Sequence, residues 1–277
     1  MNGGTSRGTE REILRILLIS EGSGGHLIPA MEVAKTLAGS AHQVQLLYVR
    51  RPHLSALMRE GLNQLRVMGA EAEAIRMITS PWPVLRLGWR LGQAVALWWR
   101  AHGLLRRFRP HLIVGFGGWV CIPVVLAARQ RRIRVLLHEQ NVRLGRANRF
   151  LVRRHWADQL AISFDQTRAL LNGTPTTVTG LPLRESPGTF TREDAATWCG
   201  LSASAFTILV MGGSQGSHAL NQLVCDLLTR LSTEERAAWQ FIHLAGTQEA
   251  QEVRQRYDAS GVPGWVASHV VEVDYLY

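Results

Sequence analysis

The sequence predicts an α/β protein built on parallel sheets with helices on both faces. Short apolar runs typical of buried strands, such as RILLIS and HLIVGF, alternate with longer segments of helical periodicity, such as LIPAMEVAKTLAGS. A strand, a glycine-rich turn and a helix open the chain, and the same series recurs after residue 205. Such alternation favours a parallel sheet, because parallel strands need long crossover connections.

Strand-like runs divide the chain into two parts. The segment 181–205 interrupts them with two prolines and several Ser and Thr residues, and it predicts a linker that carries a short helix. The runs before this segment are RILLIS, QVQLLYV, HLIVGF, RVLLHE, DQLAI and TTVTG, and those after it are FTILVM, WQFIHLA and WVASHVVEV.

We therefore predict a flexible N-terminus over 1–14, a first Rossmann-like domain over 15–182, a linker over 183–205 and a partial second domain over 206–277. The last stretch is roughly half of a six-stranded doubly wound domain. We expect the given sequence to be truncated at its C-terminus, because a half-domain leaves a sheet edge and an apolar face uncovered.

Composition narrows the functional classes. Hydrophobic residues make up 46% and charged residues 19% of the chain, as in a packed globular protein. The net charge of +10 suggests an anionic partner, which nucleic acid, a membrane surface or a phosphorylated molecule would satisfy. Cys121, Cys199 and Cys225 lie far apart, so neither a disulfide framework nor a zinc knuckle is indicated.

Two glycine-rich turns predict sites for anions. SEGSGGHL at 20–27 and MGGSQGSH at 211–218 each follow a strand and precede a helix. Glycine allows backbone N–H groups to approach an anion closely, and the helix dipole adds a partial positive charge. Neither turn fits the G-x-G-x-x-G dinucleotide fingerprint, and no Walker lysine is present. A tight structural turn is the alternative interpretation of each.

Polar residues gather near these turns. His26 closes the first turn, where it would serve as a general base or as a donor to a sugar hydroxyl, although a solvated histidine is the alternative. A further glycine turn, VGFGGWVCIP at 114–123, is followed by HEQN at 138–141. The alternative role for this polar run is a hydrogen-bonded loop cap.

Five stretches in fixed order carry a family resemblance: GSGGHLIPAMEVAKTL, IVGFGGWVCIPVVLAA, VLLHEQNVRLGRANRFL, GLPLR and ILVMGGSQGSHALN. From about Arg15 to Val273 the chain resembles the bacterial UDP-N-acetylglucosamine:N-acetylmuramyl-(pentapeptide) pyrophosphoryl-undecaprenol N-acetylglucosaminyltransferases, which make lipid II for peptidoglycan. The resemblance implies a GT-B fold of two Rossmann-like domains, the first binding the lipid-linked acceptor and the second binding most of the UDP-sugar. It also implies inverting transfer to the muramyl 4-hydroxyl of undecaprenyl-pyrophosphoryl-N-acetylmuramoyl-pentapeptide, without a metal or other cofactor.

The resemblance also implies roles for individual residues. His26 and Glu139 would be catalytic, and Gly117, Gly118 and Trp119 would form an acceptor or diphosphate loop. Substrate binding would fall to Ser23, Gly24, Gly25, Asn141, Arg184 and Ser214.

The chain departs from the family pattern at four positions. Ser23 stands where threonine is usual, and it keeps the hydroxyl group. Glu21, Trp119 and Leu181 stand where glycine, tyrosine and asparagine are usual. The family's G-A-L-T-x-x-E segment of the donor domain is absent from the given sequence. A non-catalytic remnant that binds only the acceptor is therefore the alternative function. A nicotinamide-dependent Rossmann enzyme is disfavoured, because the acidic ribose partner is missing.

Residues 82–109 predict contact with a membrane. Plotted as a helix, they separate a basic stripe from an apolar one, and the predicted contacts are Arg86, Trp89, Arg90, Trp98 and Trp99. A crossover helix whose apolar stripe packs on the sheet is the alternative. We expect a peripheral protein on the cytoplasmic face of the bacterial inner membrane. Its partners would be anionic lipid and proteins of cell-wall synthesis, and not nucleic acid, because no nucleic-acid-binding module is recognisable.

Overall fold

A computed structural model describes residues 13–40, 42–50, 56–76, 86–171, 173–183, 191–213, 216–270 and 276. The chain divides into two compact units, Met1–Arg184 and Glu185–Tyr277, and each contains its own parallel sheet. Among the described helices, none combines the length and the apolar character needed to cross a lipid bilayer.

The first unit alternates strands with helices. Its strands are β1 (Arg15–Ser20), β2 (Gln43–Arg50), β3 (Glu71–Arg76), β4 (Leu112–Gly115), β5 (Arg134–Glu139), β6 (Gln159–Ile162) and β7 (Thr176–Val178). Its helices are α1 (Gly24–Gly39), α2 (Ala56–Val67), α3 (Arg86–Phe108), α4 (Cys121–Gln130) and α5 (Arg146–Arg153), and a 3₁₀ helix spans Asp165–Leu170.

The seven strands form one sheet in the order β3-β2-β1-β4-β5-β6-β7, and every pair is parallel. The chain moves from β1 outward to β3 and then returns to β4 on the other side of β1. This change of direction is the switch point at which open α/β sheets bind ligands. Ile19 of β1 pairs with Gly115 of β4, so the loops that follow these two strands begin side by side.

The sheet is buried on both faces by the alternation of side chains along each strand. In β1, Leu17 and Ile19 join the core under α3 and α4, whereas Ile16 and Leu18 join the core under α1 and α2. A continuous apolar run is therefore required of this central strand.

The strand β3 is absent from the sequence-based prediction. Its sequence EAEAIR has no apolar run, and the intrinsic propensities of Glu and Ala favour a helix over a strand. Pairing with β2 overrides that preference, because Ala72 and Ala74 pack on one core and Ile75 joins the other. Charged residues are common on edge strands such as this one, since they oppose further strand pairing.

The second unit contains three described parallel strands in the order β10-β9-β8. The short helix predicted in 181–205 is present, and its first turn is closed by a capping box between Thr191 and Asp194. The elements are α6 (Arg192–Cys199), β8 (Phe206–Met211), α7 (His218–Arg230), α8 (Thr233–Ala238), β9 (Trp239–Leu244), α9 (Ala250–Ser260) and β10 (Gly264–Ala267).

A buried polar network joins β9, α7 and α9. His243 is fully buried, and its Nε2 lies 3.0 Å from the Asn221 amide oxygen, so Nε2 carries the proton. The Tyr257 hydroxyl lies 3.3 Å from Nδ1, to which it donates. Asn221 in turn donates to the Ala245 carbonyl and to Glu249. Both ring nitrogens are therefore paired in the neutral imidazole, and burial lowers the pKa of His243 to about 4.

This network predicts a pH-dependent stability. The pKa of His243 falls from 6.5 to about 4 on folding, so the unfolded state binds the proton more readily between these values. We expect the free energy of unfolding to be unaffected by this group above about pH 6.5 and to fall as the pH decreases toward about 4. His243→Gln should flatten this dependence.

Urea unfolding at a series of pH values, followed by the fluorescence of Trp239 and Trp265, measures this effect. His269→Gln is the matched control, because His269 is exposed and its described partner, Ser268, lies outside this network. An equal pH slope in His243→Gln and in the wild-type chain would contradict the prediction.

Candidate active site

The first glycine turn places His26 at the start of α1. Ser23 is the N-cap residue, with extended φ and ψ of −86° and 150°, and its carbonyl accepts from the amides of His26 and Leu27 at 3.1 and 2.8 Å. The Ser23 hydroxyl lies 2.7 Å from Nδ1 of His26. This contact fixes the imidazole ring across the first helical turn.

The second glycine turn packs directly on the first. Gly117 and Gly118 follow β4 with φ of +89° and +83°, a region that residues with a side chain seldom adopt. A Cβ atom on Gly117 would lie 3.1 Å from Cδ2 and 3.2 Å from Nε2 of His26. The ring of His26 therefore lies against the bare backbone of Gly117.

Glu21 makes the corresponding contact with Gly118. A Cβ atom on Gly118 would come within 2.5 Å of the Glu21 Cβ and would also collide with the Glu21 carboxylate. The glutamate that departs from the family pattern thus fills the space that glycine leaves at 118. The two turns interlock through two pairs, His26 with Gly117 and Glu21 with Gly118.

Glu139 is a buried carboxylate whose described partners lie in the loop that follows β5 and in the first turn of α5. It is 1% exposed. One oxygen accepts from the backbone and side-chain amides of Asn141, both at 3.1 Å, and the other accepts from the Gly145 amide at 2.9 Å and from Asn148 Nδ2 at 3.0 Å. Four donors to one carboxylate fix the loop between β5 and α5.

Asn148 links this loop to the glycine turns. Its Nδ2 donates to the carbonyl of His138 as well as to Glu139, and it would lie 3.6 Å from a Cβ atom on Gly117. His26 and Asn148 therefore both approach the position where a Gly117 side chain would stand. Asn148 is not among the site residues predicted from the sequence, although the signal is an asparagine within GRANR at the start of a basic helix.

Three buried polar atoms near this point have no hydrogen-bond partner within the described part of the chain. They are Nδ1 of His138, Oε1 of Gln140 and Oδ1 of Asn148. His138 Nε2 lies 3.2 Å from the Gly180 carbonyl, so it carries the proton and leaves Nδ1 as an acceptor. Burial lowers the pKa of His138, which favours this neutral form. All three atoms are thus acceptors that a hydroxyl-bearing ligand would satisfy.

The structure brings together six of the predicted site residues through direct contacts or chain adjacency: Ser23, Gly24, Gly25, His26, Gly117 and Gly118. Glu139 and Asn141 join them through Asn148, and Trp119 is half-buried in the second turn. Arg184 and Ser214 lie outside the described residues. The described residues include no cluster of three or more His, Cys, Asp or Glu side chains that could hold a metal ion.

In the second unit, the turn after β8 is shaped by close backbone contacts. Gly216 has φ of +79°, and a Cβ atom there would collide with the carbonyl of Ala245. Ser217 caps α7 by accepting from the amide of Leu220. The Asn221 network described above supports the same segment, because Asn221 also donates to the Ala245 carbonyl at 2.9 Å.

The helix α3 contacts the core of the sheet and Gln130 rather than the glycine turns. Trp98 packs against the core and donates from Nε1 to Gln130 Oε1 at 3.1 Å. Trp89 is partly exposed, and the side chains of Arg86 and Arg90 lie outside the described part. Leu91 and Val95 belong to the predicted apolar stripe, and they are 60% and 55% exposed, so the alternative in which that stripe packs on the sheet does not hold for these two residues. The core face of α3 consists instead of Leu97, Ala101, Leu104 and Leu105.

Comparisons with known proteins agree with this architecture. Residues 16–159 match the glycosyltransferase family 28 N-terminal domain, and residues 207–275 match the family's C-terminal domain. A protein of Desulforamulus reducens named UDP-N-acetylglucosamine--N-acetylmuramyl-(pentapeptide) pyrophosphoryl-undecaprenol N-acetylglucosamine transferase is 30% identical over 95% of this chain. The protein of the same name from Desulforudis audaxviator is 31% identical. In both comparisons the chain covers 69% of the relative.

Solved structures show the same fold. MurG of Acinetobacter baumannii superposes with a TM-score of 0.63 at 23% identity, over 92% of this chain and 68% of that chain. UGT2 of Phytolacca americana gives a TM-score of 0.65 at 15% identity, over 94% and 72% of the two chains. The predicted α/β class with two Rossmann-like units of the GT-B type is confirmed.

The interlocked turns give a prediction for stability. Gly118→Ala should lower the free energy of unfolding by about 1–2 kcal/mol for the left-handed backbone, and by a further amount of about 1–3 kcal/mol for the collision with Glu21. Gly173→Ala is the matched control, because Gly173 has φ of +76° with open space around it. Denaturant unfolding measures both.

Adding Glu21→Gly to Gly118→Ala should recover most of the difference between the two variants, because it removes both the Cβ and the carboxylate of residue 21. Equal losses of stability in Gly118→Ala and Gly173→Ala would contradict the interlock.

Proposed function

The chain belongs to glycosyltransferase family 28, and from this membership we propose that it transfers N-acetylglucosamine from UDP-N-acetylglucosamine to the muramyl 4-hydroxyl of undecaprenyl-pyrophosphoryl-N-acetylmuramoyl-pentapeptide. The observation that carries the proposal is the position of His26, held by Ser23 and pressed on Gly117 where β1 and β4 end. The names of the curated relatives support the choice of donor and acceptor.

In the proposed reaction, His26 acts as the general base. With Nδ1 occupied by Ser23, the other ring nitrogen, Nε2, takes the proton of the acceptor hydroxyl. The hydroxyl oxygen forms a bond to the anomeric carbon from the face opposite the leaving group. The bond between that carbon and the diphosphate oxygen breaks, and UDP leaves with the electron pair. A single displacement of this kind inverts the anomeric centre.

The first turn of α1 offers backbone amides to a diphosphate. Gly24 and Gly25 begin the helix, and the space where a Gly25 side chain would stand is open to 4 Å. The partial positive charge of a helix N-terminus stabilises anionic oxygens that approach such amides. Gly24 and Gly25 would therefore bind the charged part of a substrate without any side chain in the way.

Glu139 acts in this proposal as a positioning residue. Both of its oxygens are engaged by the loop amides and by Asn148, so it holds Asn141 in place and leaves proton transfer to His26. Asn141 is exposed and would contact the donor sugar. The unpartnered oxygens of Gln140 and Asn148 would accept hydrogen bonds from sugar hydroxyls.

The second unit would bind the remainder of the nucleotide sugar. Arg184 and Ser214 are the residues we assign to the donor diphosphate, by their match to the motifs GLPLR and GGSQGS. At the start of α7, the backbone of Gly216 lies so close to the Ala245 carbonyl that no side chain would fit there.

The proposal predicts a specific effect of His26→Ala. Transfer of labelled N-acetylglucosamine to the lipid-linked acceptor should slow by about 10²- to 10⁴-fold in kcat, because the general base is lost. The rise of the rate with pH on its acidic side should disappear in this variant. The measurement is the rate of labelled lipid product formed by the purified chain over a range of pH.

Glu139→Gln is the comparison variant. It should lower the rate of transfer while keeping the shape of the pH profile, since Glu139 holds Asn141 in position and does not transfer a proton. Unchanged turnover in His26→Ala would remove His26 from the role of base, and absence of transfer by the wild-type chain would contradict the proposed function.

The same proposal places the protein at the cytoplasmic face of the inner membrane, docked by α3. Leu91, Val95 and Trp99 are spaced by four residues and form an apolar stripe on the exposed side of the helix. Trp99 is 65% exposed, whereas Trp98 is held by Gln130, so Trp99 is the better interfacial anchor. The net charge of +10 adds attraction to anionic lipid.

Replacing Leu91, Val95 and Trp99 by Ser should weaken binding to phosphatidylglycerol vesicles by about tenfold or more, because the buried apolar area is lost. Vesicle co-sedimentation measures this binding. The control replaces Val67, Leu183 and Leu223 by Ser, which are exposed apolar residues outside α3. Equal binding by the two triple variants would contradict docking by this stripe.

A further inference from the structure

A buried threonine follows β6 and takes no part in the proposed reaction as described so far. Thr167 belongs to the 3₁₀ helix Asp165–Leu170 and is 0% exposed. The residues beside it in the chain, from Phe164 to Arg168, are otherwise exposed. Because burial removes the contacts of a hydroxyl group with water, such a side chain needs hydrogen-bond partners within the protein.

The partners of Thr167 are two carbonyl groups in the loop between β5 and α5. Its hydroxyl oxygen lies 2.8 Å from the Val142 carbonyl and 3.3 Å from the Asn141 carbonyl. A hydroxyl group has one proton, so it donates mainly to the nearer carbonyl and in part to the other. Thr167 therefore holds the backbone on both sides of Val142.

The register of β5 and β6 makes this contact possible. Glu139 ends β5 and pairs with Ile162, which ends β6. The amide of Ser163 then donates to the Glu139 carbonyl at 3.0 Å, so the segments that follow the two strands begin side by side. The amide of Thr167 donates to the Phe164 carbonyl at 3.1 Å. This bond closes the turn that brings Thr167 to the loop after β5.

Asn141 is consequently held from two directions. Its backbone and side-chain amides both donate to Glu139 at 3.1 Å, and its carbonyl faces the hydroxyl of Thr167. A side-chain amide has two N–H donors and one oxygen, so the bond to Glu139 leaves one N–H and the oxygen for a ligand. Asn141 is exposed, and a ligand can reach these atoms.

We propose that Thr167 is a positioning residue for the donor, UDP-N-acetylglucosamine, and that it acts through Asn141. This inference rests on the proposed function, in which Asn141 contacts the donor sugar. Glu139 fixes the amide side of Asn141 and Thr167 fixes its carbonyl side, so both are needed to set the direction of its side chain. Without the hydroxyl, the backbone around Val142 loses this donor, and Asn141 turns away from the position that suits the sugar.

The test is Thr167→Val in the full chain, which removes the hydroxyl and keeps the branched shape of the side chain. We expect the KM for UDP-N-acetylglucosamine to rise by about two- to tenfold, as for the loss of one hydrogen bond. The kcat and the KM for the lipid-linked acceptor should change by less than about twofold, because a contact to the donor alone is weakened. Thr167→Ser keeps the hydroxyl and should retain the wild-type donor KM. Thr167→Ala is a second variant without the hydroxyl, so the comparison does not depend on the folding of one substitution.

Two comparisons separate this role from a general effect on packing. Thr36→Val removes a hydroxyl that donates to the Glu32 carbonyl within α1, and it should leave the donor KM unaltered. Asn141→Ala should itself raise the donor KM. Adding Thr167→Val to Asn141→Ala should cause no further rise, because the hydroxyl acts through Asn141. The double-mutant cycle on the donor KM measures this coupling.

Hydrogen exchange tests the same contact without glycosyl transfer. The backbone amide of Asn141, which donates to Glu139, should exchange about two- to tenfold faster in Thr167→Val than in the wild-type chain. Its exchange should be unchanged in Thr36→Val. The measurement is amide exchange followed by NMR of the isotope-labelled chain.

Three results would overturn the proposal. They are an unchanged donor KM in both Thr167→Val and Thr167→Ala, an equal rise of the donor KM in Thr36→Val, and additive effects of Thr167→Val and Asn141→Ala. Absence of transfer by the wild-type chain is a different outcome, because it contradicts the proposed function. Amide exchange then decides by itself whether Thr167 holds Asn141, and an unchanged exchange rate in Thr167→Val would exclude it.

Discussion

The close approach of two backbone turns is the constraint on which the candidate site depends. The strands β1 and β4 are neighbours, so the turns after them lie side by side with little space between them. That space suffices only because positions 117 and 118 lack Cβ atoms and adopt a left-handed backbone. His26 then lies on bare backbone, and its packing on Gly117 together with the Ser23 contact sets the direction of its ring. A preorganised base of this kind needs little rearrangement before it meets a substrate.

Glu139 fixes the geometry of a second part of the site, the loop between β5 and α5. A carboxylate buried to this degree is unfavourable unless its lone pairs are used, and four N–H groups satisfy it here. The loop between β5 and α5 consequently has one geometry in which all these bonds form together. Thr167 strengthens that geometry by donating to the carbonyls of Asn141 and Val142. The loop is thus fixed by buried polar contacts and not by regular secondary structure.

Sequence patterns predict the central strands well and the contacts between loops poorly. RILLIS and HLIVGF form strands that are buried on both faces, so their continuous apolar runs predict strands directly. EAEAIR has no such run and forms a strand only by pairing with β2. Helical periodicity predicts an amphipathic α3, yet the apolar stripe it gives mixes the exposed Leu91 and Val95 with Leu105 of the core. The role of Asn148 depends on three segments meeting in space, and no local pattern contains that information.

The fit of Glu21 beside Gly118 has an evolutionary consequence. A side chain at 118 is incompatible with a glutamate at 21, so the tolerance of each position depends on the residue at the other. The two sites form an epistatic pair that spans almost a hundred residues of sequence. A side chain at the first position therefore adds a steric restriction at the second to the one that the left-handed backbone already imposes there.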